Sequence, residues 1–181
     1  MTTQPPVAEQ VGHLETPGMR DIGPRPQAFD LEAATIANPN YRTVAWSGTY
    51  LQVTLMSIPV NGGIGLEKHP ATDQFIRLER GRGRAQMGPA EHDLTFDEEV
   101  TDGWCVMVPA GSWHNVTNIG DEPMQVYTVY APQHHKPGKV QQTKAIADRD
   151  NDDEPANWSV QPDPVADQHA SSAALAADPH R

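Results

Sequence analysis

Residues Gly103–Asn118 read GWCVMVPAGSWHNVTN. An apolar run, Trp104 to Val108, meets Pro109-Ala110-Gly111, and the chain then returns to Trp113, Val116 and Thr117. Short apolar or β-branched runs bounded by Pro and Gly predict a strand, a turn and a second strand. Proline presets φ and glycine reaches conformations that other residues resist, so the turn is stiff. His114 opens the second strand directly behind that corner, a place that holds an imidazole still. Cys105, inside the apolar run, is expected in the core, since free cysteine is among the most buried residue types.

Working outward, Leu66–Gly83 reads LEKHPATDQFIRLERGRG. Ile64 to His69 is a strand candidate, and Glu67 and His69, two apart on it, share one face. Pro70 and Thr72 mark a turn, Gln74, Ile76 and Leu78 alternate on the next strand, and Gly81 and Gly83 close it. Asp73 opposes Gln74 in strand phase and should face out. Glu67, His69, Gln74 and His114 can then converge inside a barrel. Two imidazoles, a carboxylate and an amide oxygen form a ligand set for one divalent metal, and mixed N and O donors do not by themselves select among Mn, Fe, Co, Ni and Zn. Neutral imidazoles and an amide add no charge and Glu67 adds −1, so a divalent ion would keep +1 and remain a Lewis acid toward an anionic or enolate-like oxygen.

These residues carry a family resemblance. The chain resembles a cupin, a small β-barrel or jelly roll with two signature motifs. The second, G-x5-P-x-G-x2-H-x3-N, is matched by Gly103, Pro109, Gly111, His114 and Asn118. The first, H-x-H-x(3,4)-E-x6-G, is matched in spacing by Glu67, His69, Gln74 and Gly81, with Glu67 in place of the first histidine and Gln74 in place of the glutamate. The resemblance covers roughly residues 29–143. The strings HPATDQFIRLERGRG, VPAGSWHNVTN and YTVYAPQHH are similar to bacterial single-domain cupins often labelled mannose-6-phosphate isomerase-like, a label resting largely on fold-level analogy.

The rest of the chain agrees with an all-β class. Asp30 can cap a short helix through Ala37. Tyr41–Ser47, Tyr50–Val60, Arg84–Met87 and Met124–Ala131 read as further strands, with Leu94 and Phe96 on one more. Met56 and Ile58 fall out of phase with Leu51, Val53 and Leu55, which implies a bulge or burial on both faces. Many short strands with turn signals between them predict a barrel or sandwich. Trp46, Trp104 and Trp113 are expected in core or rim packing, Arg77, Glu79 and Arg80 as outward charges, and His134-His135, at a strand end, in a solvated loop, with a rim position near the pocket mouth as the alternative.

Composition sets the ends apart. Only 37% of the 181 residues are hydrophobic and 17 are prolines, five of them in residues 1–28. Residues 1–28 are expected to be a disordered arm, 29–146 the cupin domain, and 147–181, with eight acidic residues against Arg149 and Arg181, an acidic disordered tail. The net charge of −11 argues against nucleic acid or anionic membrane as partners, which call for a basic patch. A single cysteine excludes an internal disulfide. No apolar stretch approaches the ~20 residues of a membrane span, and no basic-then-apolar leader opens the chain; a cytoplasmic protein is expected.

The functional expectation is a metal-dependent enzyme acting on a small polar oxygenated molecule. Its chemistry would be isomerisation or proton transfer next to a carbonyl, with Glu67 as ligand and general base. Oxygen-dependent oxidation at Fe(II), in the manner of a dioxygenase, and non-enzymatic binding of a small ligand are the alternatives. A homodimer is expected, because pairing between chains hides exposed strand edges.

Overall fold

Period-two alternation of apolar side chains builds two antiparallel sheets, whose apolar faces must cover one another. The structure, a computed structural model, describes residues 19–150. After helix α1 (Leu31–Ala37) come β1 (Arg42–Ser47), β2 (Gln52–Ile58), β3 (Glu67–Lys68), β4 (Asp73–Arg80) and β5 (Arg82–Gly88). They are followed by β6 (Phe96–Thr101), β7 (Cys105–Val108), β8 (Trp113–Asn118), β9 (Met124–Ala131), β10 (Val140–Gln141) and helix α2 (Lys144–Arg149). One sheet runs β10-β1-β2-β9-β4-β7 and the other β3-β8-β5-β6.

The core lies between them. Met56, Ile58, Ile76, Leu78, Val116 and Val126 are all buried there, and each such side chain stabilises the fold by roughly 1.5–3 kcal/mol relative to exposure. A smaller cluster sits on the opposite face of the six-stranded sheet: Ala34, Ala45 and Leu55 are buried beneath Met19, Phe29 and Leu31. This explains the phase break in β2. The strand pairs with β9 without interruption and is buried on both faces, Met56 and Ile58 in the barrel and Leu55 under α1. The bulge falls on its other neighbour, between Val44 and Trp46 of β1.

Asp30 caps α1 as its type predicts, its Oδ1 accepting from the Ala33 amide at 3.0 Å. Thr143 caps α2, a helix that opens inside the expected domain and runs three residues past its 146 boundary.

Several expectations are corrected. Cys105 is exposed: Val106 and Val108 take the inward phase of β7, which turns Cys105 and Met107 outward. Trp104 is exposed as well. Glu79 is buried rather than outward, at a register shift between Leu78 and Arg80, and accepts from Arg77 Nε at 2.9 Å. The ligand strand shrinks to Glu67–Lys68. Residues 19–28 are docked, not free. Asp21 Oδ1 accepts from the Gly23 and Ser47 amides at 2.9 and 3.0 Å, and Oδ2 from Ser47 Oγ and the Gly138 amide at 2.6 and 3.0 Å. The remaining expectations of disorder, for 1–18 and 151–181, lie outside the described residues.

Candidate metal centre

The two signature stretches are tied together by their backbones. The Pro109–Ser112 turn closes with a bond from Ser112 N to Pro109 O, and Gly111, at φ +82°, adopts a conformation that an L side chain resists. Its amide then reaches across to His69 O at 2.8 Å, and the Ala110 amide donates to Asp73 Oδ1 at 2.8 Å. Asp73 thus faces out, as phase predicts, and pins the corner that carries His114. Asn118, at the far end of β8, is structural. Its Nδ2 donates to Ile58 O and Glu122 O, and its Oδ1 accepts from the Gly120 amide.

The register puts Glu67 directly opposite His114, and directly opposed residues of an antiparallel pair point to the same face. Gln74 comes to them from the facing sheet. His69 Nε2 lies 3.2 Å from Glu67 Oε1, His114 Nε2 3.5 Å from the same oxygen, and His114 Nε2 2.9 Å from Gln74 Oε1. One donor atom from each of Glu67, His69 and His114 lies within 4.8 Å of the others. His69, Gln74 and His114 are buried and Glu67 is partly so. All four residues singled out by the sequence therefore meet in one place.

The hydrogen-bond chemistry of this place fits a cation. His114 Nδ1 is 3.1 Å from Ser112 O. A carbonyl can only accept, so Nδ1 carries a proton, and the tautomer with that proton alone presents a lone pair at Nε2. That lone pair faces Gln74 Oε1, whose amide nitrogen is spent on Tyr130 OH at 3.0 Å, and Glu67 Oε1. In that tautomer the lone pairs of His114 Nε2, Gln74 Oε1 and Glu67 Oε1 converge, an arrangement that a bound cation satisfies as a second proton on His114 would. Without a bound cation an imidazole proton takes its place: burial pushes the Glu67 carboxyl up, but hydrogen bonds from protonated His114 and His69 and their charge outweigh it and hold the group well below the usual carboxylate range. Glu67 is ionised at neutral pH. The Glu67, His69 and His114 cluster could hold a divalent ion, with His114 locked by the Ser112 carbonyl in the manner of metal-binding histidines.

Two residues read from sequence as a solvated loop belong here. His134 and His135 are both buried. The His134 ring centroid lies 4.1 Å from that of His69 and 5.3 Å from that of Tyr130, on which it stacks at 26°. His135 meets Tyr130 edge-on, and neither of its ring nitrogens finds a partner among the described residues. Burial first, then the charges of Arg42 and the neighbouring histidines, push the His135 imidazole well below its ordinary value, so it is neutral. The device that draws this pair inward is Gln52. Its Oε1 accepts from the His134 and His135 amides at 3.3 and 2.8 Å, while its Nε2 donates to His135 O and Ser47 Oγ at 2.7 and 2.9 Å. Gln52 sits directly opposite Tyr130 across the β2–β9 pair. That pairing was the only available signal, and it is invisible without the register. A surface cleft of about 740 Å³ lies at the other ends of β4 and β8, lined by Arg80, Arg82, Asp102 and Glu122 among others, and none of the four candidate ligands borders it.

Fold and site define a small double-sheet barrel that gathers two histidines and a carboxylate at one mouth. The chain belongs to the cupin family: the family described as Cupin domain matches residues 54–130. The Bacillus subtilis protein YrkC is 46% identical over 129 residues, which cover 71% of this chain and 69% of that protein. A protein of Acanthamoeba polyphaga mimivirus is 36% identical over 107 residues, covering 59% of this chain and 65% of its own length. A crystal structure of a Bacillus halodurans protein is 51% identical with a TM-score of 0.70, and the match covers 71% of this chain and 97% of that one. Among the described residues no helix is long and apolar enough to cross a membrane.

Proposed function

We propose that this cupin is a metal-dependent enzyme acting on a small oxygenated molecule by proton transfer next to a carbonyl, the chemistry of an isomerase. The observation that carries the reading is the convergence of Glu67, His69 and His114 within 4.8 Å. Gln74 is the fourth ligand. A divalent ion held by these residues would supply a Lewis acid of net charge about +1 for a substrate carbonyl. Gln74 holds its oxygen in place through its bond to Tyr130. Glu67 serves first as ligand and second as base, because a carboxyl held so far below neutral pH is a reluctant proton acceptor. His134, stacked on Tyr130 beside His69, walls the site against bulk water.

A second reading, oxygen-dependent oxidation at Fe(II), is favoured by the composition of the same cluster, two histidines and one carboxylate with room for further ligands. Binding of a small ligand without chemistry is the third.

Metal analysis of purified protein tests the site: about one divalent ion per chain is expected, lost in His69→Ala and His114→Ala and weakened less in Gln74→Ala. No metal after reconstitution with Mn, Fe, Co, Ni and Zn overturns it. Exchange of deuterium from solvent into the carbon beside the carbonyl of candidate substrates distinguishes proton transfer from oxidation, which consumes O₂ instead. The outer edges of β6 and β7, unpaired among the described residues, support a homodimer, and light scattering giving a monomer at micromolar concentration counts against it. The partner otherwise is a small molecule, and the compartment the cytoplasm.

A further inference from the structure

The two walls of the site differ in chemistry. On the six-stranded sheet the cross-strand row through Gln74 is mainly polar, Val108, Gln74, Tyr130 and Gln52, and His134 stacks on Tyr130 from the chain beyond β9. On the four-stranded sheet one cross-strand row runs from Glu67 to His114, from His114 to Met87, and from Met87 to Phe96. Directly paired residues share a face, with Cβ atoms about 5 Å apart, so Met87 stands about 5 Å from His114 and Phe96 about 10 Å. The inward sense of Phe96 is fixed by its neighbours. Val100, four residues along β6, is buried in the core, whereas Asp97 pairs with Arg84 on the other face. Met87 is partly buried against the core, yet Phe96 keeps 42% of its surface exposed while facing the barrel side. A single exposed apolar residue is ordinary. This one continues, through Met87, the row that carries Glu67 and His114, so it lies exposed on the same face as the candidate ligands.

We propose that the site takes an amphipathic ligand: an oxygenated head, a carboxylate with an adjacent carbonyl, at Glu67, His69 and His114, and an uncharged apolar arm over Met87 and Phe96. The proposal rests on the oxygen-ligand reading above and adds the character of the ligand's far end. Glu98 argues for an uncharged arm. It shares the inward phase with Phe96 and is exposed, so a second anionic group at that end meets a like charge. Met suits an arm of variable shape, since its unbranched thioether side chain adapts to irregular surfaces.

The test is calorimetric titration of protein loaded with Mn²⁺, using pyruvate and phenylpyruvate, which share a 2-oxo acid head and differ in the arm. Phenylpyruvate is expected to bind about tenfold tighter or better, as burial of an aromatic ring implies. In Phe96→Ala pyruvate affinity and metal content should hold while the difference between the two acids falls below about threefold, and Phe96→Leu should restore part of it. Phe96 is exposed, so neither variant should fail to fold. Equal affinity of wild type for the two acids, or a difference that survives in Phe96→Ala, overturns the proposal while leaving the oxygen-ligand reading standing. Metal-loaded protein that binds neither acid overturns that reading itself, and the proposal with it.

Discussion

The His134 ring lies 4.1 Å from that of His69 and stacks on Tyr130, although His134 comes from the chain that leaves β9. Its place depends on Gln52, whose amide side chain satisfies the backbone of both His134 and His135. Removing that side chain leaves buried amides unpaired, at about 1–3 kcal/mol for each group. Gln52→Ala is expected to lower stability by about 2–4 kcal/mol on the same scale and to weaken metal binding. His134→Ala should weaken metal binding with a smaller loss of stability, because it removes the ring that packs on His69 but keeps the backbone clamp. Chelator competition and thermal melts on the two variants separate these effects. Unchanged metal affinity in both would mean that the His134 contact does not position His69.

Asp21 ties the segment ahead of α1 to the barrel through four bonds, to Gly23, to Ser47 twice and to Gly138. Composition alone placed Asp21 in an arm that could be cut away. The structure predicts a boundary instead: removing residues 1–18 should leave the melting temperature near that of the full chain, whereas removing 1–24 should lower it. Asp21→Ala should reproduce most of that fall, about 2 kcal/mol for lost charge-assisted bonds. Thermal melts of the three proteins decide it, and equal melting of the two truncations would show that these bonds contribute little.

His135 makes stability depend on pH. Burial holds its folded pKa well below the 6.5 of the unfolded chain. Below 6.5 the unfolded state binds a proton that the folded state refuses, so the contribution is whole above that pH and is lost as pH falls. The slope for one such group is at most about 1.4 kcal/mol per pH unit. Denaturant unfolding of metal-free protein at pH 7, 6 and 5 should show the decline, and His135→Phe should flatten it. A variant as acid-sensitive as wild type would place the titrating group elsewhere.

Much of this was legible in sequence because the strongest signals are local. Pro109-Ala110-Gly111 fixes a corner whatever the tertiary context, and the two-residue spacing of Glu67 and His69 fixes a shared face. Cys105 was misread because an apolar run does not say which of its alternate residues face in. That is decided by pairing of Val106 with Ile76 and of Val108 with Gln74, which sequence does not print. His134 and His135 were misread for a related reason. Two histidines after Pro132 look like a polar loop, and it is Gln52, brought opposite Tyr130 by the β2–β9 register, that gives their backbone a buried partner.

Glu67 is the residue where this chain departs most from the common cupin pattern, and its variants separate the roles open to it. Its Oε1 lies 3.2 Å from His69 Nε2 and 3.5 Å from His114 Nε2, so it stands where a ligand would stand. Glu67→His restores the usual histidine pair and is expected to keep about one metal per chain. The charge of the loaded site then rises from about +1 to about +2, a stronger Lewis acid without the carboxylate base. Glu67→Gln keeps an oxygen in place but removes the negative charge, so metal affinity should fall by about tenfold, or roughly 1.4 kcal/mol. At saturating metal the protein should still fill, yet proton transfer should be lost, because an amide cannot take a proton. Glu67→Gln with wild-type metal affinity but no turnover would make Glu67 a base and not a ligand. Wild-type metal affinity and turnover in both variants would remove Glu67 from the site altogether and leave the ion to His69, His114 and Gln74. Chelator competition settles the ligand question before any substrate is known, and solvent deuterium exchange on the metal-saturated variants settles the base question afterwards.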